Sequence, residues 1–448
     1  MILSRSSDFN INYAAKIIDV KEFTPHPNPT VTKLKCCTAD GFNIIVGIDA
    51  QPGWYIYFPV GCAINDEFLH VNNLYRDKTY NKDQEATPGF FELNNRVRAI
   101  NLKNERSEGF LMPVSSLFGF IDELLSSDDL DYNFDTISGK LLCKKYIVKN
   151  TPGKGNNSKK VKKSQFTHLV EDQFRFHVDT ILLRKVPYVI KPDSLISVSS
   201  KVHGTSGISA NLLHIFPLYK NPIQKYWRKL LNKPLYEEHY RDVYASRTVI
   251  KDTYNNPDVN GGFYGVDVWN IAHEVLKPCL QKGLSFYYEI IGFLPTGSYI
   301  QKSYDYGCEP PTANEVYTYG KHFKIKIYRI TYTNPSGIVY EFSFRQMQQF
   351  CKKNDLDSVD LLYYGYAKDL YPDLDITDHW NENFIKRLAS DKNFYMEMDS
   401  PDCKNKVPHE GIVIRNETLD IDVYKLKCLR FLQKEDEAMD RGEIDIEG

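Results

Sequence analysis

Residues 199–207 read SSKVHGTSG. The residues before them, Asp193 to Val198, alternate apolar and polar, which predicts a β-strand. That strand delivers Lys201 to its own end, against a turn carrying Gly204 and Gly207. A lysine so placed can be a nucleophile, or it can be a surface cation beside an ordinary turn. Lys201, Val202, His203 and Gly204 alone do not separate the two, so the decision falls to the rest of the chain.

The chain has 448 residues, enough for two or three domains. A formal charge of -2 carries no global signal for nucleic acid, so a polyanion site must be a local patch. A hydrophobic content of 42% can build a globular core. The nine cysteines include no CxxC pair, and Cys36 and Cys37 are adjacent. This predicts reduced thiols in a cytoplasm (a host's, for a viral source) rather than zinc or a disulfide framework. The first residues, MILSRSSDFNINYAAK, are too polar for a signal peptide, and no apolar run reaches membrane-spanning length. No membrane and no obligate protein partner are expected.

The clearest break is TPGKGNNSKKVKKS at 151–164, with five lysines and no apolar periodicity, which predicts a basic flexible linker. Before it, NYAAKIIDVKEF, TVTKLKCCTA, FNIIVGID and WYIYFPVG read as short strands separated by turns, predicting a small barrel or sandwich over 1–150. A helix is expected at 118–127. After the linker, strand-like runs mix with helical ones, around DVWNIAHEVL, after Ser343, and after a cap at Thr377-Asp378. They come in no strict alternation, so the expectation for 165–434 is an α+β domain of antiparallel sheets flanked by helices. The acidic tail, 435–448, is expected to fray.

Several charged residues interrupt the apolar strands of this second region: Lys201, Glu289, Glu410, Lys425 and Lys427, with Arg247 in YASRTVI. Lys425 and Lys427 stand two apart, so one strand presents both on one face. Buried charges need opposite partners or a ligand. Two glutamates and several cations in one cleft suit a triphosphate held with a metal. A lysine with a pKa of about 10.4 is almost wholly protonated at neutral pH, and neighbouring cations and desolvation favour the neutral amine. A neutral amine at Lys201 attacks the α-phosphate of a nucleotide and forms a covalent lysyl–nucleotide.

These residues resemble the covalent nucleotidyltransferases, comprising RNA ligases, DNA ligases and mRNA capping enzymes. Lys201-Val202-His203-Gly204 is similar to the family's nucleophile motif, Ser246-Arg247 to the second, and Glu289 in YYEIIGF to the third. EGIVIR at 410–415 is similar to the fourth motif and KLK at 425–427 to the fifth. Tyr328 stands where the family sets an aromatic ring against the purine. KVHGTS and FRFHVDT at 174–180 resemble RNA ligases more than DNA ligases. GWYIYFPVG and NRVRAINLKNERSEGFLMPVSSL resemble the N-terminal OB module of nick-sealing RNA ligases. Three departures stand out: Ser200 where glutamate is frequent, Ser206 where asparagine is common, and a long segment at 208–246.

The resemblance implies an N-terminal OB-like β-barrel followed by a nucleotidyltransferase domain. It implies an RNA-repair ligase using ATP and Mg2+ or Mn2+, joining 3′-hydroxyl and 5′-phosphate RNA ends, with a nicked duplex as the expected substrate. Lys201 would be the nucleophile, and Lys425 and Lys427 would be catalytic. His203, Gly204, Arg247, Glu289, Tyr328 and Glu410 would bind the nucleotide, and Glu289 and Glu410 would hold the metal through water. A DNA ligase, a capping-type guanylyltransferase and a non-catalytic RNA-binding protein that keeps the fold are the alternatives. His203 reads equally as a structural histidine. Arg96, Arg98, Lys103 and Arg106 either face RNA or line an ordinary sheet surface. KYWRKLLNK at 225–233 reads as an amphipathic surface helix or as an RNA contact.

Overall fold

Strands β1 (Ala15–Val20), β2 (Leu34–Ala39), β3 (Phe42–Gly47), β4 (Gly53–Pro59) and β5 (Gly109–Pro113) build the first region. Their sequences dictate burial on two faces. Along β4, Ile56 and Phe58 enter one core with Phe68 and Phe134, while Tyr55 and Tyr57 enter a second with Phe42 and Ile44. Strand β1 divides likewise, Ile17 facing the first core and Ile18 and Val20 the second. This period of two explains why both strands read as nearly continuous apolar runs. The main sheet runs β5–β4–β1 and ends on Asn133–Phe134. Asp40 and Gly41, both at positive φ, turn β2 into β3. The pairing is divided among several small sheets, and the described residues close no barrel.

The computed structural model describes residues 3–121, 129–147, 168–177, 179–256, 264–377, 379–418 and 421–440. The linker at 151–164 and most of the expected helix at 118–127 lie outside them. Residues 118–121 form a turn.

The second region contributes β6 (Ile181–Leu182), β7 (Leu195–Ser200), β8 (Thr205–Pro217), β9 (Tyr236–Ser246), β10 (Leu284–Gly292), β11 (Phe323–Thr333), β12 (Val339–Glu341), β13 (Leu361–Tyr366), β14 (Gly411–Asn416) and β15 (Asp422–Lys427). One five-stranded sheet runs β6–β15–β14–β7–β13, and the other β9–β8–β10–β11–β12. All pairings are antiparallel except β6 with β15. Ile196 and Val198 from the first sheet and Phe286, Tyr288 and Ile290 from the second enter one core. Helices α1 (Asp66–Val71), α2 (Pro222–Leu230), α3 (Val268–Leu276), α4 (Phe344–Lys353), α5 (Trp380–Leu388) and α6 (Leu429–Asp440) complete the elements used below. Asp267 caps α3, and a capping box of Ser343 and Gln346 starts α4. Helix α5 has His379 at its N-cap, one residue past the expected cap, and Asp378 lies outside the described residues.

The acidic tail departs from expectation. Its residues up to Asp440 continue α6 instead of fraying, and 441–448 lie outside the described residues. Asp436 explains the difference: its carboxylate accepts from the Ala99 amide at 2.9 Å, and its carbonyl accepts from Arg96 at 3.1 Å. Further bonds join the two regions. Asn12 accepts from the Leu182 amide at 2.7 Å, Lys185 pairs with Asp40 at 2.9 Å, and Arg184 pairs with Glu108 at 3.0 Å. All nine cysteines are free thiols. Among the described residues no helix is long and apolar enough to cross a membrane.

Candidate active site

Strand β7 ends at Ser200, and the Lys201 amide donates to Gly411 O at 2.9 Å, which fixes the lysine beside β14. Its amine lies 2.7 Å from Glu410 Oε1. Lys427 Nζ approaches the same oxygen at 3.9 Å, and His203 Nδ1 lies 3.8 Å from Glu410 Oε2. On β15, Tyr424 and Leu426 are buried while Lys425 and Lys427 turn to the other face, where both line a cavity of about 920 Å³. Lys427 pairs with Glu435 at 3.1 Å, whereas Lys425 has no carboxylate partner among the described residues.

Strand β10 brings Glu289 to the same cavity, where Ser206 donates to its Oε1 at 2.8 Å. Gly204 is needed for this approach. A Cβ there would meet Ile290 O at 2.6 Å and Glu289 Cβ at 3.1 Å. Tyr306 clamps the nucleophile loop by accepting from the His203 amide at 3.1 Å and donating to the His203 carbonyl at 2.8 Å. His203 itself packs between the rings of Tyr304 and Phe431. Tyr328 lines the cavity, its hydroxyl 3.4 Å from Ser206 Oγ and 3.4 Å from His177 Nδ1.

Burial raises the Glu289 carboxyl to about 7, Glu410 adding to the rise while Lys201 and Ser206 oppose it. Burial also pushes Glu410 up, but Lys201, Lys427 and His203 outweigh it and hold this carboxyl below its ordinary value. Burial, then Lys427, Lys201 and Arg247, push the Lys425 amine well below the ordinary lysine range. For Lys427 the burial penalty is overcome by Glu435 and Glu410, and its pKa is raised. Burial lowers His203 to about 4 and His177 to about 3, with Lys201 adding to both shifts.

The far rim carries residues that sequence reasoning missed. Asp179 pairs with Arg247 and lies 3.7 Å from Lys145, a cation of the first region. Asn10 also donates to Asp179, at 3.3 Å. His177 and Asp179 belong to the quoted FRFHVDT stretch, which gave a signal of position but none of role. Nothing in the sequence near Lys145 or Glu435 marks either as a cavity residue.

The four basic residues expected on an RNA-facing surface do not share one. Arg96 is fully buried and engages Asp436, because α6 covers it. Arg106 pairs with Glu397 of the second region at 2.8 Å. Arg98 is half-buried, and Lys103 stands exposed in a turn at positive φ.

Glu289 and Glu410, expected from the sequence to hold a divalent ion, both line the cavity, and Glu410 Oε2 is buried without a hydrogen-bond partner. Among the described residues no group of three or more His, Cys, Asp or Glu side chains is spaced to hold a metal directly. Two carboxylates with water and phosphate completing the shell fit the way magnesium is usually held.

The two sheets, antiparallel but for the β6–β15 pair, share one core and leave a lysine at the end of an inner strand. The fold is that of Naegleria gruberi RNA ligase. An apo mutant form of that enzyme superposes with a TM-score of 0.55 at 16% identity, covering 94% of this chain and 98% of that one. Its form with PPi gives 0.54 at 15% identity, covering 95% and 99%. A mutant form with ATP and Mn gives 0.52 at 16%, also covering 95% and 99%. No protein-family model matches the chain, and the comparison with curated proteins gives no match.

Proposed function

We propose that the protein is an ATP-dependent RNA ligase working through a lysyl-AMP intermediate. The observation that carries this reading is the convergence of Lys201, Lys425 and Lys427 on one cavity with Glu289 and Glu410, Lys425 being left without an anion. An unpaired cation facing a cavity is costly unless a ligand neutralises it. The likeness to a ligase solved with ATP and Mn supports the choice of nucleotide and ion.

Lys201 first leaves its pair with Glu410 and gives up a proton to solvent water in the cavity. Its nitrogen then forms a bond to the α-phosphorus of ATP as the bond to the β-phosphate oxygen breaks, and pyrophosphate leaves. Lys425, Lys427 and Arg247 neutralise the phosphates during this in-line displacement. Glu289 and Glu410 would hold Mg2+ or Mn2+ through water, and the ion would supply charge neutralisation. The phosphoramidate is next attacked by the 5′-phosphate of an RNA end, which takes the AMP and returns the lysine. A 3′-hydroxyl then attacks the activated phosphate, the strands join, and AMP leaves. In this reading the first region acts as the OB-type RNA grip and the substrate is a nicked duplex.

Incubation with ATP labelled on the α-phosphate, and separately with GTP, tests the proposal. A covalent adduct from ATP at Lys201, passed on to 5′-phosphorylated RNA, is expected. An adduct from GTP alone would point to capping, sealing of DNA nicks only would point to a DNA ligase, and no adduct with either nucleotide plus metal would leave a non-catalytic RNA-binding protein.

A further inference from the structure

Strands β8 and β9 form one long hairpin rooted in the cavity. Strand β8 starts four residues after Lys201, and β9 runs back to Ser246, next to Arg247. Pairing extends from Gly207↔Ser246 to Pro217↔Tyr236, so the arm is about 34 Å long at 3.4 Å per residue. Its tip is an ordered unit of its own. Asn221 caps α2 through the Gln224 amide at 2.8 Å, and Arg228 donates to Pro234 O at 3.0 Å. Yet none of the α2 residues is buried.

The composition of this tip is one-sided. Beyond the last strand pair, residues 218–235 contain five cations, Lys220, Lys225, Arg228, Lys229 and Lys233, and no aspartate or glutamate; the first carboxylates, Glu237 and Glu238, stand on β9, where Glu237 pairs with His239 at 3.2 Å. None of the five has a carboxylate partner among the described residues. Tyr226 is 64% exposed and Trp227 54%. Their rings meet edge to face at 75° with centroids 6.3 Å apart, so they are not stacked on each other. Cations without carboxylate partners interleaved with exposed rings match what unpaired nucleic acid requires: phosphate neutralisation together with stacking platforms.

We propose that the tip of this arm binds a single-stranded stretch of the RNA substrate beyond the duplex around the nick, with Lys225, Arg228 and Lys229 on phosphates and Tyr226 and Trp227 stacked on bases. The inference rests on the ligase reading for the identity of the strand. The charge pattern selects a polyanion over an apolar protein partner, and the rings select unpaired bases over a closed duplex.

Fluorescence anisotropy with the full chain tests this, using 5′-phosphorylated single-stranded RNA long enough to reach from cavity to tip, the same sequence as a duplex, and vesicles containing phosphatidylserine. Tyr226→Ala with Trp227→Ala is expected to weaken single-stranded binding about tenfold or more. Lys225→Gln, Arg228→Gln and Lys229→Gln together are expected to reduce the slope of log affinity against log salt by roughly 2. Thermal melts matching the wild type verify the fold of each variant. Unchanged single-stranded affinity in both variants overturns the inference, as does a loss confined to the duplex. Tip-dependent vesicle binding or self-association with RNA affinity intact also overturns it. ATP adduct formation by the wild type needs no RNA, so its failure would strike the ligase reading and not the arm.

Discussion

Glu410 Oε1 lies 2.7 Å from the amine of Lys201 and 3.9 Å from that of Lys427, so one oxygen serves two lysines. Lys427 is held more closely by Glu435, at 3.1 Å, and in the proposed mechanism Lys201 leaves Glu410, whose charge would then serve the metal. Glu410→Gln removes the anion while keeping the shape. Adduct formation should fall at least about 100-fold, the scale of losing an aligned charge from a transition state. Lys201→Arg, which cannot present a neutral amine, should give no adduct. Intact-mass measurement after incubation with ATP and Mg2+ checks both, and a normal adduct in Lys201→Arg would sink the mechanism.

Lys425 makes a different prediction, because it has no anionic partner. Burial and the neighbouring lysines disfavour its charged form. Lys425→Met should therefore leave the melting temperature unchanged or raise it, while raising the KM for ATP. A fall in melting temperature of several degrees would show that the amine is structural.

His409 ties stability to pH. It is buried, with Nε2 2.9 Å from Ser200 Oγ, and burial lowers its pKa to about 4. Below about pH 6.5 the unfolded chain takes up a proton that the folded chain refuses. Its contribution is therefore fully present above 6.5 and is lost as pH falls toward 4, by at most about 1.4 kcal/mol per pH unit. Glu289, raised to about 7, acts in the opposite sense, since the folded chain keeps a proton there that the unfolded chain has lost. The comparison must therefore be His409→Gln against wild type. Urea unfolding in EDTA should show the variant losing less stability between about pH 7.5 and about pH 5, and equal losses would refute this origin.

Arg96 and Asp436 form a buried clasp between the two regions, their side chains 0% and 10% exposed. Asp436→Ala takes a carboxylate away from a buried guanidinium and the acceptor away from the Ala99 amide, and should cost about 3 kcal/mol in urea unfolding. Adding Arg96→Met should recover part of that loss. A double variant as unstable as the sum of the single ones would mean that the pair is not coupled.

Much of this arrangement was legible in local pattern. The alternation before Ser199 gave β7, and the two-residue spacing of Lys425 and Lys427 placed both on one face of β15. Glu289 stood out because a carboxylate inside FYYEIIGF needs a reason to be there. The amphipathic reading of 225–233 matches α2, although no core receives its apolar side. Contacts distant in sequence were not legible. Arg96 read as a surface cation because its partner lies 340 positions away. The same contact turns the start of the acidic tail into helix. Lys145 reaches the cavity only because the first region docks beside Asp179. Strand patterns gave the first region its β character but not its closure, because edge pairing depends on how the small sheets meet.

The junction between the regions is written in paired charges: Lys185 with Asp40, Arg184 with Glu108, Arg106 with Glu397 and Arg96 with Asp436. Each couple has one member on either side. A chimera that borrowed its front half from a relative would keep four orphaned halves of these couples unless their mates were transplanted too. Swapping modules in this chain therefore means moving specific residues from at least three separate places, not cutting at a single seam.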